Sequence, residues 1–474
     1  MENIDALRRE TAEQPDDSGI FTGVRRRLST GLVLTIVIVA FEGLAVSTIM
    51  PVAVLELRGL SLYAWPFSGF MLGSLVGTVA AGDYADRRGP AYPFIGALIV
   101  FSCGLLACGT ATTMLWFIAG RIIEGLGTGA VRSLVWLSLN RAYPARTQAR
   151  MGAVLSSAWI LPSLLGPTMA GLIARMWGWR VVFLSLLPLV PLALAMILRP
   201  LALIDSEALP AAVSSKFGAT VLLAIGVALF ISGLQETSLP MILALLVIGA
   251  ALAWPGLRAI LPAGTLKFRN GLPAILGLRG LLTFSFFEAL AFFPLALELV
   301  RGLSATLAGV ALSVGSVGWT SGSWLQAGCD YRFGPQARPR ILLCGLTLLA
   351  FGIAGAASAI AGRYPVGIAI ASWGLAGLGM GISYNTNTVL TIQAETEHSA
   401  GAVSSSMQLT DSLGQALGTG FGGAAMTLAT WAAWSTSAGI AIAFALSVVI
   451  CAAAMALIPR LSPLRTAATL AATE

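Results

Sequence analysis

Six ionisable side chains interrupt long apolar stretches of this sequence: Glu42, Arg121, Glu124, Arg132, Glu288 and Asp411. Each would cost ~2.5–3.5 kcal/mol at the centre of a membrane-spanning helix, so six left unpaired would cost roughly 15–20 kcal/mol. They must face one another or a wet cavity, and packing alone does not ask for them. Arg121 and Glu124 stand three apart and share a helix face. Arg132 is eleven beyond Arg121, on the same stripe. A carboxylate in an apolar cavity holds its proton and a nearby cation draws it off, so a small movement between them moves a proton. Glu42, Arg121 and Glu124 therefore read as a proton relay, set against a fixed ion pair between helices. Glu288 and Asp411, in the second half, suit proton carriage or attraction of a lipophilic cation in aromatic surroundings.

The elements that hold these groups follow from composition. Of 474 residues, 57% are hydrophobic and 10% charged, and the mean hydropathy is +0.86. A soluble domain carries roughly 25% charged residues, so the surface of this chain must face lipid. Fourteen apolar spans run from 31–53 to 432–459, and long continuous runs favour helices over a barrel. The reading is an all-α polytopic membrane protein: a tail over 1–30, a six-helix bundle over 31–200, a linker with an extra two-helix hairpin over 201–270, a second six-helix bundle over 271–459 and a tail over 460–474. Of the 28 positive residues, twenty fall in one set of loops and tails and five, Arg58, Arg175, Arg180, Arg301 and Arg363, in the other. Arg121, Arg132 and Arg279 lie within or at the edges of spans. That bias puts both termini in the cytoplasm.

Several chemistries are excluded. Neither lysine, Lys216 nor Lys267, follows a glycine, so there is no phosphate-cradling Gly-Lys pair and no ATP site. One histidine, His398, rules out a two-histidine zinc site, and the five cysteines form no CxxC pair. No cofactor, metal, nucleic acid or enzymatic activity is expected. The net charge of +7 reflects topology.

The chain repeats itself. GLGTG at Gly125–Gly129 returns as GLGMG at Gly377–Gly381, 252 residues on, and Gly166 matches Gly418 at the same interval. GAVLSS at Gly152 echoes GAVSSS at Gly401, and RRGPAYP at Arg87 echoes RFGPQARP at Arg332. Two six-helix halves in parallel explain these matches, a pattern found in secondary transporters with a site between the halves. In the loop after span 2, Asp83, Asp86, Arg87, Arg88 and Gly89 need a tight turn that Gly89 permits; with Arg332 in the repeat, they read as ion pairs latching the halves. Gly166 and Pro167 would bend span 5. Trp159, Trp319, Asn385, Asn387 and Gln408 are candidates to line a cavity, and Trp65, Trp177, Trp179, Trp431 and Trp434 to anchor span ends at the membrane interface.

Five segments in order carry a resemblance: FEGLAVSTIMP (Phe41–Pro51), GDYADRRGP (Gly82–Pro90), GRIIEGLGTG (Gly120–Gly129), LLGPTMAG (Leu164–Gly171) and FFPLALELVRGLSATLAG (Phe292–Gly309). Together they resemble the major facilitator superfamily, in particular its fourteen-span drug:proton antiporter branch. Glu42 stands where an aspartate is usual, Pro90 and Ala91 where basic residues are usual, and only Gly171 of a double glycine is kept. The resemblance implies the major facilitator fold, a buried Arg121 in proton coupling, and an antiporter-motif bend at Gly166, Pro167 and Gly171 that seals the cavity. It implies a monomer in a bacterial cell membrane exchanging protons for a small amphipathic compound. Export of a lipid or self-made metabolite, nutrient uptake by symport, and a non-transporting membrane sensor or scaffold are the other readings.

Overall fold

A computed structural model of the chain describes residues 20–202, 217–394 and 400–461. Most of both expected tails, residues 203–216 of the linker and the 395–399 loop with His398 lie outside the described residues, as do the side chains of Asp86, Arg87 and Arg88. Among the described residues there is no strand. Fourteen helical spans follow one another: α1 (Gly23–Glu56), α2 (Trp65–Arg88), α3 (Ala91–Gly109), α4 (Met114–Ala142), α5 as α5a (Ala145–Ser157) and α5b (Ile160–Trp177), α6 as α6a (Trp179–Leu184) and α6b (Leu189–Ala202), α7 (Phe217–Leu234), α8 (Leu239–Ile260), α9 (Leu272–Leu299), α10 (Ala305–Phe333), α11 (Arg338–Ser358), α12 (Val366–Gln393), α13 (Ala400–Trp431) and α14 (Thr436–Ala456). Twelve are long and apolar enough to cross a membrane on those grounds alone. The other two, α10 and α13, are richer in Gly, Ser and Thr and complete the same bundles.

Local chemistry sets the helix ends. Thr113 Oγ1 accepts the Trp116 N–H at 3.2 Å at the start of α4, and Ser304 and Ser435 cap α10 and α14 the same way. Gly89 and Gly334 close α2 and α10 at φ 76° and 70°, where a Cβ would be strained, and a proline follows each. The interruption of α5 falls at Ala158–Trp159, and Pro167 lies inside the continuous helix α5b. This interruption precedes the Gly166–Pro167 pair, which lies within α5b. Pro162 accounts for the interruption: it offers no N–H to the carbonyl of Ala158, four residues back, and its ring crowds that carbonyl. Pro188 stands in the same relation to Leu184, where α6a ends.

The helices α1–α6 form one bundle and α9–α14 another, with matching internal pairings. α2 packs on α4 as α10 packs on α12, and α1 packs on α6b as α9 packs on α14. The repeated glycines make the first match possible: a Cβ on Gly129 would lie 1.9 Å from the Ser74 carbonyl, and one on Gly381 2.1 Å from that of Trp319. Two helix pairs, α2 with α13 and α5b with α10, join the bundles most extensively, and α1 also meets α9 and α10. Among the described residues, hydrogen bonds across this seam are found at the end carrying the α1–α2 and α9–α10 connections, here called the closed end. Tyr63 donates to the Ala291 carbonyl at 2.7 Å, and Thr306 to that of Gly171 at 3.2 Å. The hairpin α7–α8 covers the α2–α13 seam, with Leu223, Val227 and Ile231 in one apolar cluster with Leu72, Leu75, Leu409 and Leu413. It is tied to α13 near both ends, by Gln235 to the Gly420 carbonyl at 3.4 Å and by Ser406 to the Ile260 carbonyl at 2.9 Å.

Candidate functional site

Helices α1 and α4 bring together Glu42, Arg121 and Glu124, only 1%, 2% and 0% exposed. One Arg121 nitrogen, Nη1, donates to Glu42 Oε1 and, at 2.7 Å, to Glu124 Oε2. Its Nε donates to the Pro66 carbonyl at 3.3 Å, and the guanidinium lies 4.2 Å above the Phe70 ring. From α3, Gly104 lets the backbone approach Glu124, and Cys108 Sγ donates to Glu124 Oε2 at 3.5 Å. Glu42 Oε2 and Glu124 Oε1 are buried without a partner. Two carboxylates thus share one guanidinium. With both ionised the site carries a net negative charge where an uncompensated ion costs several kcal/mol. One proton restores neutrality, and the two unpartnered oxygens have room for it.

Helices α9 and α13 carry a second cluster with a different balance. Arg279, 3% exposed, meets Asp411 at two points, Nε to Oδ1 and Nη2 to Oδ2, each 2.8 Å. Tyr384 donates to Asp411 Oδ2 at 2.9 Å and lays its ring 4.2 Å from the guanidinium. Arg279 Nη1 also donates to Thr388 Oγ1 at 3.0 Å and Asn387 Oδ1 at 3.5 Å, while Asn387 donates to the Ile275 carbonyl at 2.9 Å. One acid and one base are neutral together, so this pair calls for no proton. The Asp411 side chain is 17% exposed, against 1% for Glu42, so it keeps an open edge. An aromatic wall runs from it: Tyr384 to Trp319 at 5.6 Å, Trp319 to Phe286 at 5.2 Å, and Phe286 stacked on Trp373.

Known proteins decide the lineage of this arrangement. The family description Major Facilitator Superfamily matches residues 32–419. The chain belongs to the major facilitator superfamily. Among its superfamily relatives, a probable multidrug-efflux transporter of Mycobacterium tuberculosis is 25% identical over 446 residues, covering 88% of this chain and 92% of that protein. The multidrug transporter protein MdtP of Bacillus subtilis is 30% identical over 177 residues, 37% of this chain and 33% of that one. An uncharacterized transporter of Schizosaccharomyces pombe is 28% identical over 234 residues, 48% of this chain and 40% of that one. The chain thus spans well under half the length of these last two relatives. A solved POT family transporter in complex with 5-aminolevulinic acid superposes with a TM-score of 0.68 at 13% identity, covering 92% of this chain and 96% of that one. This major facilitator chain is a multi-pass membrane protein similar to transporters.

The other residues singled out from the sequence fall differently on the facilitator frame. Glu288 repeats Glu42: FEGLA at Phe41 returns as FEALA at Phe287, 246 residues on. Yet Trp373 holds the place of Arg121 and Ala376 that of Glu124, each 252 residues on. Glu288, 0% exposed, accepts from Ser447 and has no cation among its described partners. Arg132 is exposed, away from the buried triad it was grouped with. Asn387 is fully buried and braces Arg279. Asn385 and Gln408 are half-buried, Trp159 is exposed at the break of α5, and Trp319 is half-buried in the aromatic wall. Gly166 lies against Phe41, and Pro167 and Gly171 pack on Gly309 and Ala305 of α10. Asp83 sits in the last turns of α2. In the α10–α11 loop, Arg338 makes the ion pair with Asp330, at 2.6 and 2.9 Å, and reaches Gln393 of α12; Arg332 lies 5.6 Å from the Phe333 ring. Trp179, expected at the membrane interface, is buried edge-on to Phe117 and donates to Glu56 at 2.8 Å. Two residues went unremarked in the sequence, Arg279 as a partner and Tyr384. An acid inside the second half needs a cation, and Arg279 is the only arginine or lysine in the interior of its spans.

Proposed function

We propose that this protein exports lipophilic cations and related amphipathic compounds from a bacterial cell in exchange for protons, as a fourteen-span drug:proton antiporter working as a monomer by alternating access. The observation that carries the reading is the imbalance of Glu42, Arg121 and Glu124: two buried carboxylates on one cation, each with an unpartnered oxygen. A site of that charge takes one proton and gives it up when its surroundings change. Asp411, open at one edge and flanked by Tyr384 and Trp319, offers a cation both a carboxylate and aromatic faces, with Arg279 yielding its place. The twenty-to-five bias of positive residues supports cytoplasmic termini, with the closed end outside. One-for-one exchange of a proton for a monovalent cation moves no net charge, so the pH gradient drives it, by roughly tenfold accumulation per pH unit. Glutamines in a transport assay test this. In proteoliposomes with an imposed pH gradient and no ATP, wild-type protein should concentrate tetraphenylphosphonium, and Glu42→Gln and Arg121→Ala should not. Equal accumulation by all three would sink the proposal.

A further inference from the structure

One charge of the first half stands outside both clusters. Arg132 lies eleven residues beyond Arg121 on α4, about 20° round the helix, so the two share a stripe. At Arg121 that stripe is covered, and at Arg132 it is exposed. Among the described residues Arg132 makes no hydrogen bond and no ion pair. It stands ten residues before the end of α4, about 15 Å inside the span, where a charge facing lipid would be costly. It therefore faces the wet space between the halves.

The internal repeat identifies what it faces. Tyr384 lies 252 residues after Arg132, and Asp411 lies 252 after Trp159, the interval that separates GLGTG from GLGMG. Parallel halves related by an axis along the membrane normal set such mates opposite one another at one depth. Tyr384 is nine residues from the end of α12, which matches the depth of Arg132 in α4. Arg132 lies within electrostatic reach of Tyr384, yet α4 and α12 are not among the helix pairs packed across the seam. Tyr384 in turn donates to Asp411 Oδ2, on a carboxylate that Arg279 holds and that keeps an open edge. One half thus presents Arg132 and exposed Trp159 where the other presents Tyr384 and Asp411. Across the gap from the acid stands a cation with no acid of its own.

We infer that Arg132 is the residue that releases the exported cation, closing on Asp411 and taking the place of the bound compound when the closed end opens. The inference rests on Asp411 being the cation site of a proton-coupled exporter. While the closed end is shut, the gap keeps Arg132 off Asp411, and a cation arriving from the other end has Arg279 alone to displace. Rocking of the bundles about the seam shuts that other end as it opens the closed one, and brings α4 toward α12. Two arginines then share one acid, and the cation, left beside like charges, departs through the opened end. The site binds tightly where the compound is collected and weakly where it is discharged, which is the order export requires. The step exchanges one ion pair for another and breaks no covalent bond.

The test uses the full chain in everted membrane vesicles with an acid lumen, so that the collecting face is outside and the discharging face is within. Tetraphenylphosphonium is the probe. Initial rates of uptake give KM at the collecting face. Vesicles preloaded with the same cation give the luminal concentration that halves uptake, a measure of affinity at the discharging face. Arg132→Gln should lower that luminal concentration about fivefold, the worth of one partly hydrated ion pair, without raising KM. Arg132→Lys, which keeps the charge, should restore the parent's value. Unchanged luminal inhibition in Arg132→Gln, a KM raised by the same factor, or a lysine no better than the glutamine overturns the inference alone. A parent protein without proton-driven uptake overturns the export reading and this inference with it.

Discussion

Replacing Arg121 by methionine keeps a long apolar stem and deletes the only cation of the triad. Glu42 and Glu124, 1% and 0% exposed, are then left to each other and to Cys108. Two unit charges ~4 Å apart interact by about 4 kcal/mol at an effective dielectric constant of 20, and removing one partner of a buried pair costs about 3–5 kcal/mol. The full cost applies only where the acids are ionised. Once both hold protons, what is lost is the set of hydrogen bonds from Arg121, about 1–3 kcal/mol. The variant should therefore be moderately destabilised at pH 5 and more so at pH 8, its stability falling with pH more steeply than that of the parent, because its folded state holds two protons on these acids where the parent holds one. Adding Glu42→Gln and Glu124→Gln removes the charges that miss their cation and should restore most of the stability at pH 8. Thermal unfolding of the purified proteins in detergent at both pH values reads all of this. Equal melting of parent and Arg121→Met at pH 8, or no rescue by the glutamines, would refute the reasoning that Arg121 neutralises these acids.

Other perturbations separate the two clusters and the frame that holds them. Asp411→Asn combined with Arg279→Gln, which avoids stranding the arginine, should weaken binding of tetraphenylphosphonium by about tenfold, or ~1.4 kcal/mol, measured by calorimetry. Its affinity for a neutral isostere should hold. Gly129→Val should abolish the folded monodisperse peak in gel filtration, because a Cβ there meets the Ser74 carbonyl at 1.9 Å, whereas Gly82→Ala, with nothing within 4 Å, should leave it intact.

The frame was legible because its signals are local or periodic. Apolar runs gave the spans, and GLGTG with GLGMG gave the repeat that the α2–α4 and α10–α12 contacts obey. Arg121 with Glu124 needed only a helical spacing of three. Beyond that the partners are tertiary. Glu42 reaches Arg121 from 79 residues away and Asp411 reaches Arg279 across 132, and a helix face does not say which neighbour it meets. The contact of Asn387 with Arg279 was not legible, because a polar side chain in a span reads equally as cavity lining or as a brace for a buried charge. The interruption of α5 at Ala158–Trp159 was not read from the sequence because Pro162, whose ring crowds the carbonyl four residues back, stands close to the Gly166–Pro167 pair that drew attention. Trp179 misled for a related reason, since position at a span end does not tell an interfacial ring from one packed inside against Phe117.

The central claim is that the Glu42–Arg121–Glu124 site holds one proton and surrenders it as a cation binds. It is tested most directly by counting protons. Purified transporter in weakly buffered detergent solution, titrated with tetraphenylphosphonium, should release about one proton per molecule at neutral pH, the single charge needed to balance two carboxylates against one guanidinium. The Glu42→Gln, Glu124→Gln double variant should bind the same cation and release none. Cation binding without proton release by the parent, or release undiminished in the double variant, would contradict the account.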